Sequence, residues 1–437
     1  MPDTATESGT RNVKRLASML LELDDLLIAC MRCGFCLSTC PVYGATMREG
    51  DVTRGKIALL ENLAKHMISD AQSVNDKLNR CLLCGSCQAI CPSGVKIMDI
   101  FLRARAIVTG YLGLSPLKKL LFRGVLARPK LFNSLLGLSS ALQGLFIKKT
   151  GGMETYCAPL LQSFIGNRHF PPLAKKPFHS RAPSLNIPAE AGKPGVAFFP
   201  GCVSDNIFPA VAEASLKVLQ KHGVGVFMPS GLSCCGIPAL ASGDRPDYDR
   251  MLRNNLKCLR GASFQYLLTP CGTCTATIRE FWPMLADDYS PAEKEQIREL
   301  HEKCMDISAF VIDVLKVELP AASNGGPVVT YHDSCHLKKS LGVAAQPRSI
   351  LKSLPGFSFA EMPEADRCCG SGGSFTLRHY DLSTDIGQRK RDNIVSVKAN
   401  IVAAGCPACM MQMMDALSRN NDKIKVRHVM ELYADTL

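Results

Sequence analysis

Residues 30–41 read CMRCGFCLSTCP, and residues 81–92 read CLLCGSCQAICP. Both are instances of CxxCxxCxxxCP, which puts thiols at Cys30, Cys33, Cys36 and Cys40 and again at Cys81, Cys84, Cys87 and Cys91. Two copies at one spacing argue against coincidence. Three thiolates separated by two residues let a tight loop wrap a compact metal centre, and Gly34 and Gly85 let the backbone approach it closely. The fourth cysteine of each run does not readily reach the same centre.

The chain has 437 residues, which at about 150 per domain predicts roughly three domains. Apolar residues make up 46% and charged residues 21%, a balance that excludes a disordered chain. Aromatic residues are only 6%, with one tryptophan, so stacking platforms for nucleic acid are scarce and no nucleic-acid partner is expected. The 21 cysteines fall below the roughly 8–10% that marks a short secreted disulfide scaffold. The opening MPDTATESGTRNVKR shows neither an apolar h-region nor a small-residue cleavage site, so a cytoplasmic location is expected. Clustered thiols there bind metal or do redox chemistry rather than pair.

Residues 1–100 read as a mainly helical unit. Apolar positions recur at helical spacing over residues 14–28, and residues 54–69 form an amphipathic pattern with Ile57, Leu60, Leu63 and Ala64 on one face and Lys56, Glu61 and Lys65 elsewhere. Residues 101–170 form a basic amphipathic segment. Between Phe101 and Thr150 lie nine basic residues (Arg103, Arg105, Lys118, Lys119, Arg123, Arg128, Lys130, Lys148 and Lys149) and no acidic one, three quarters of the net charge of +12. Within it Leu131, Leu135, Leu138, Leu142 and Leu145 alternate spacings of four and three, and Phe132, Leu136 and Phe146 widen the stripe. The uncharged stretch 131–147 is shorter than the roughly 20 residues a membrane span needs. Such a helix suits docking within a complex or on an anionic membrane face.

Six prolines across residues 171–195 read as a linker. Beyond it, short apolar runs at Val196–Phe199, Val226–Met228, Tyr266–Leu268, Val328–Tyr331 and Ile401–Ala404 alternate with helical patterns, which predicts largely parallel strands. The expected fold is therefore α/β overall, with an N-terminal, mainly helical two-cluster module followed by a duplicated α/β cysteine-rich domain over 196–322 and 323–437.

The duplication rests on a second cysteine pattern. Cys202, the pair Cys234–Cys235 before Gly236, then Cys271 and Cys274 recur 133 to 135 residues later as Cys335, the pair Cys368–Cys369 before Gly370, then Cys406 and Cys409. In each copy the cysteines fall at or just after predicted strand ends, where ligand sites gather in α/β sheets. Five thiols exceed what one ordinary cubane or zinc ion takes. An adjacent pair suits neighbouring irons of an irregular cluster or a redox-active thiol pair. Structural zinc and buried inert thiols remain the alternatives for both patterns.

The first pattern resembles two-cluster ferredoxins, in which the fourth cysteine ligates the other cluster. That resemblance assigns Cys30, Cys33, Cys36 and Cys91 to one [4Fe-4S] cubane and Cys81, Cys84, Cys87 and Cys40 to a second. Taken with the two Cys-Cys-Gly (CCG) repeats, the chain resembles the iron-sulfur subunits of FAD-linked glycolate oxidase and flavin-linked lactate dehydrogenases, with relatives in anaerobic glycerol-3-phosphate dehydrogenase and the heterodisulfide reductases. The resemblance implies a non-flavin, electron-transfer subunit of a 2-hydroxyacid dehydrogenase complex. FAD sits on a partner subunit, and electrons pass to quinone or another acceptor. It also implies one or two further, non-cubane [4Fe-4S] clusters held by Cys202, Cys234, Cys235, Cys271 and Cys274 and by Cys335, Cys368, Cys369, Cys406 and Cys409. No residue of this chain is expected to be catalytic by itself. The last CxxC, Cys406–Cys409, is intact where glycolate oxidase subunits often lack part of it. That keeps the lactate branch open, and with it a heterodisulfide-reductase-type chain that cleaves a disulfide at the CCG clusters.

Cys157, Cys258 and Cys304 fall outside both patterns and read as small hydrophobes. His332 and His336 flank Cys335 and read as local hydrogen-bonding groups. The run Gly370–Gly373 lacks the Walker pattern, so its glycines serve close backbone approach to a cluster.

Overall fold

A computed structural model of the chain describes residues 14–114, 128–150, 155–159, 166–320 and 325–437. Both N-terminal cysteine runs fold into the same loop. In each, the residue before the second cysteine is left-handed (Arg32 at φ 57°, Leu83 at φ 52°), and so is the glycine after it (Gly34 at φ 91°, Gly85 at φ 70°). The loops then enter short helices, α1 (Phe35–Thr39) and α3 (Ser86–Ala89). Left-handed backbone on both sides of one cysteine, with a bulky arginine or leucine at the first position, is unfavourable in isolation and persists only where surroundings impose it.

Between the loops runs α2 (Thr53–Ala64), shorter than the pattern predicts. Its assignment of polar residues needs correction. Lys56 and Glu61 are buried, not solvated. Lys56 Nζ donates to the Asp51 carbonyl, and Glu61 pairs with Arg32 of the first loop. After the second loop comes α4 (Ile97–Leu112), then α5 (Pro129–Leu142). The expected basic residues Lys118, Lys119 and Arg123 lie outside the described residues.

The first α/β unit is a five-stranded sheet of β1 (Leu185–Ile187), β2 (Gly195–Phe198), β3 (Gly225–Met228), β4 (Tyr266–Thr269) and β5 (Cys304–Asp306), in the order β1-β3-β2-β4-β5. Every pairing is parallel except that of β1, which runs antiparallel to β3. The proline-rich stretch expected to be a linker therefore adds an edge strand to the first sheet. Its prolines break periodicity without preventing a three-residue strand at the edge. The second unit is a wholly parallel sheet of β6 (Val328–His332), β7 (Ser358–Phe359), β8 (Ile401–Ala404) and β9 (Lys425–His428), in the order β9-β8-β6-β7. All five apolar runs picked out in the sequence are strands. Cys304, outside the cysteine patterns, is fully buried in β5.

The two units meet where their cysteine strands end. Gly272 N donates to Gly405 O at 3.0 Å, and a Cβ on Gly272 would stand 2.4 Å from Leu337 Cγ, so only glycine permits the approach. The N-terminal module packs on both units. Against the second, a small core of Val42, Leu82, Cys84, Cys368, Phe375 and Ile386 is closed by His336 Nε2 on Leu83 O (2.9 Å) and Lys339 Nζ on Ser86 Oγ (2.5 Å). Against the first, the buried Arg105 of α4 donates to Ala241 O (2.7 Å) while also holding Leu78 O (2.6 Å) and Cys81 O (2.7 Å) of its own module. Burial pushes its guanidinium down to about 10, so it stays charged at neutral pH.

Removing that fork leaves three buried carbonyls without a donor, at about 1–3 kcal/mol for each group left unmet. Arg105→Met is expected to lower the melting temperature of the metal-loaded protein by several degrees and to make the second cysteine loop accessible to protease. Unchanged melting would show that Arg105 does not tie the module to the first sheet.

Candidate functional site

The four cysteines of each N-terminal run do not stay together. One pocket is lined by Cys30, Cys33 and Cys36 of the first run together with Cys87 and Cys91 of the second. Another is lined by Cys81, Cys84 and Cys87 of the second run and Cys40 of the first. The fourth cysteine of each run faces the other run's pocket because α1 and α3 carry it away from its own loop. Cys87 borders both pockets.

These pockets suit a metal centre better than free thiols. Burial pushes the Cys40 thiol up to about 12, and burial also raises Cys87. Such groups carry the negative charge needed for ligation only beside a cation. One protein cation is already at hand: Lys56 lies against Cys81 and Cys40, and burial pulls its ammonium down from the usual value. Sequence reading missed Lys56 because helical spacing placed it on a polar face. Ser86 Oγ, 3.3 Å from Cys84 Sγ, is a further neighbour with no distinguishing sequence signal.

Each CCG repeat gathers its five cysteines at the carboxyl ends of the central strands. In the first, Cys202 Sγ lies 3.6 Å from Cys234 Sγ. A hydrogen bond from Cys234, and another from Cys274, hold the Cys235 thiol well below its usual value. The second repeat reproduces this pattern. Cys368 is hydrogen-bonded to Cys335, while bonds from Cys368 and Cys409 depress Cys369. In both copies, then, the second cysteine of the pair is the one whose thiol its sulfur neighbours pull down. Gly201, at φ 79°, brings its backbone so near that a Cβ would be 3.0 Å from Cys274 Sγ.

The four groups of sulfurs are not isolated. Cys84 is hydrogen-bonded to Cys368, joining the second N-terminal pocket to the second CCG site. Cys271 Sγ lies 4.0 Å from Cys406 Sγ, joining the two CCG sites, with Thr273 Oγ1 at 3.3 Å from Cys406 Sγ. Among the flanking histidines, His336 holds the Leu83 carbonyl, as expected of a local structural group.

Residues 196–279 and 329–414 each match the family profile of the cysteine-rich (CCG) domain, and residues 27–95 match that of the 4Fe-4S dicluster domain. Over 413 residues the chain is 31% identical to the probable glycolate oxidase iron-sulfur subunit of Bacillus subtilis (strain 168), covering 92% of either chain. The chain belongs to the glycolate oxidase iron-sulfur subunit family. Lactate utilization protein A of Oceanobacillus iheyensis is 30% identical over 238 residues, 54% of this chain and 95% of its own. One component of the dihydromethanophenazine:CoB–CoM heterodisulfide reductase of Methanosarcina mazei is 26% identical over 459 residues, 99% of this chain and 98% of its own. A hypothetical protein from Helicobacter pylori shares the fold, with a TM-score of 0.52 at 11% identity over 88% of this chain and 68% of that one. This family member is thus an iron-sulfur protein with a redox, electron-transfer role, and its cysteine patterns are those of a dicluster module and a CCG repeat.

The exchange of fourth cysteines has a direct consequence. Cys91→Ser is expected to loosen the centre held by Cys30, Cys33 and Cys36, so that anaerobic alkylation followed by peptide mapping modifies those three while Cys81 and Cys84 stay protected. Modification of Cys81 and Cys84 instead would show that each run closes its own centre.

Proposed function

We propose that the chain is the electron relay of a flavin-dependent 2-hydroxyacid dehydrogenase complex. It accepts electrons from an FAD-bearing partner that oxidises glycolate or lactate, and delivers them to quinone. The observation that carries this reading is the unbroken series of thiol groups, from the pocket of Cys30 through Cys87, Cys84 and Cys368, and across Cys406 and Cys271 to Cys202. Two [4Fe-4S] cubanes would be held by Cys30, Cys33, Cys36 and Cys91 and by Cys81, Cys84, Cys87 and Cys40. Each five-cysteine CCG site would hold a further, non-cubane cluster. When bound, such clusters supply one-electron carriers whose potentials the protein tunes through hydrogen bonds, burial and nearby charge. The chain's own contribution is to bury the thiols, to set Lys56 beside two of them, and to leave only short gaps between successive groups.

The two ends of the series differ in a way that suits two partners. At the first pocket, Cys33 is exposed and is flanked by Met31 and Phe35, 68% and 57% exposed, a surface suited to a redox partner protein. At the other end, a shallow cleft beside Cys202 and Cys234 is bordered by Phe132 and Asn133 of α5. That helix is anchored by its polar edge: Ser140 Oγ donates to Ala174 O (3.0 Å), and the Gln143 amide exchanges hydrogen bonds with the Leu173 backbone, each 2.9 Å. Its leucine stripe therefore faces outward, with Leu131, Leu135, Leu138, Leu142, Leu145 and Phe146 all 39–73% exposed. Among the described residues no helix is long and apolar enough to cross a membrane. An apolar stripe in a segment rich in basic residues and free of acidic ones fits peripheral contact with an anionic leaflet, where each basic residue contributes about 1 kcal/mol. A quinone dissolved in that leaflet then reaches the end of the series.

A second reading is a heterodisulfide-reductase-type chain, favoured by the near-complete coverage of the Methanosarcina mazei relative and by the meeting of both CCG sites at Cys271 and Cys406. In that case a substrate disulfide is cleaved at these sites.

Anaerobic affinity purification with partners, followed by addition of glycolate, D-lactate, L-lactate or glycerol 3-phosphate, separates the readings. Bleaching of the iron-sulfur absorbance by one hydroxy acid, with FAD in the preparation, is expected. Full iron loading without bleaching by any of them, together with turnover of a disulfide, would establish the second reading. For the membrane contact, Leu135→Asp with Leu138→Asp is expected to abolish co-sedimentation with phosphatidylglycerol vesicles while leaving iron content unchanged. Undiminished sedimentation would remove α5 as the membrane surface.

A further inference from the structure

The two CCG sites are built from equivalent cysteines but unlike neighbours. Three residues before Cys202, just past the end of β2, stands Phe199. At the same place before Cys335, at the end of β6, stands His332. Both side chains are buried, at 1% and 0% exposure. In the first repeat an apolar ring fills the place, whereas in the second the same place holds two nitrogens.

Those nitrogens are poorly served by the protein. A ring nitrogen of His332 and the sulfurs of Cys369 and Cys409 all lie within 4.8 Å of one another, the one such constellation of three or more metal-ligating side chains found among the described residues. Neither ring nitrogen has a partner at full hydrogen-bond geometry; the Ala365 carbonyl is a backbone acceptor that weakly engages the ring, and it already takes the Asp333 N–H at 3.0 Å. His336, on the other side of Cys335, shows what a structural histidine does here: it donates Nε2 to a carbonyl and holds two domains together. A buried polar ring so poorly bonded is costly unless a group outside the polypeptide meets it, and a nitrogen beside two thiols is a metal-donor arrangement.

We propose that His332 is an imidazole donor to the metal centre held by Cys335, Cys368, Cys369, Cys406 and Cys409, and that the first CCG site has no such donor. The proposal rests on reading those cysteines as iron ligands. It makes the duplicated sites chemically unequal. Where the imidazole takes an iron position that a thiolate holds in the first site, it removes a negative charge there, and that replacement moves the potential upward. The second site, which the N-terminal module reaches through Cys84 and Cys368, is then the more easily reduced of the two, and an electron shared across Cys406 and Cys271 rests on it in preference to the first.

The test is spectroscopic and needs no turnover. The iron-loaded full chain, reduced anaerobically and prepared with natural-abundance or 15N-labelled histidine, is examined by pulsed EPR for histidine nitrogen coupled to a cluster. Such a coupling is expected in the wild type. His332→Phe, which copies the first site, should abolish it and shift one midpoint potential downward at unchanged iron content. Phe199→His should add a second coupling.

Absence of any histidine coupling in an iron-replete wild type overturns the proposal while leaving the relay standing. A coupling that survives His332→Phe belongs to another ring, such as the buried His428, and overturns it as well. Zinc in place of iron at both CCG sites overturns the relay reading itself. If His332→Phe does not fold, His332→Gln, which keeps a polar side chain there, takes its place, with the same loss of coupling expected and its survival overturning the proposal.

Discussion

Sulfur meeting sulfur across domain boundaries governs how the whole chain is packed. Cys84 against Cys368 and Cys271 against Cys406 require three folding units to present their thiol ends to one another at contact distance. Much of the packing serves that requirement. Gly272 has no side chain because Leu337 occupies the space, Arg105 ties α4 to the first unit through the Ala241 carbonyl and to the second loop through Leu78 O and Cys81 O, and His336 pins the second loop to the second sheet. Parallel sheets contribute by delivering successive strand ends, each followed by a cysteine, to the same edge.

Burying so many thiols would be unfavourable without cations to match them. The protein supplies a few of its own, Lys56 against Cys40 and Cys81 and Lys390 against Cys369 and Cys368, and burial draws the ammonium of Lys390 down to about 8. These charges are too few for eighteen patterned cysteines, and the remainder is the task of metal. The dicluster and CCG profiles that the chain matches agree with this physical argument, which uses burial and charge alone.

The duplicated domain illustrates how a repeat diverges. Its cysteines keep their spacing to within two residues, and in both copies the second thiol of the adjacent pair is the one depressed by its neighbours. The surroundings have drifted apart. Phe199 stands where the other copy has His332, and only the first sheet gains an antiparallel edge strand, from the proline-rich stretch before it. Equal cysteine patterns in unequal surroundings let one scaffold offer two sites of different character.

Spacing along the chain was enough to read the two CxxCxxCxxxCP loops, the duplication, the five strands seen as apolar runs, and α5 from its alternating leucines. Apart from the duplication, which is a recurrence of one cysteine pattern, each of these is local, set by a period of two or 3.6 residues or by the reach of one tight loop. Which way each group faces came from packing between distant segments. Packing set Cys40 and Cys91 in each other's pockets, and it turned the leucine stripe of α5 outward because Ser140 and Gln143 take the inner contacts. It buried Lys56 and Glu61 on a helix whose pattern marks them as surface residues. It also distinguished His336, bonded to a carbonyl, from His332, one ring nitrogen of which lies within 4.8 Å of the Cys369 and Cys409 sulfurs, four residues apart in the same strand-to-helix turn. Such outcomes depend on partners far away in the chain, and a spacing pattern carries no record of them.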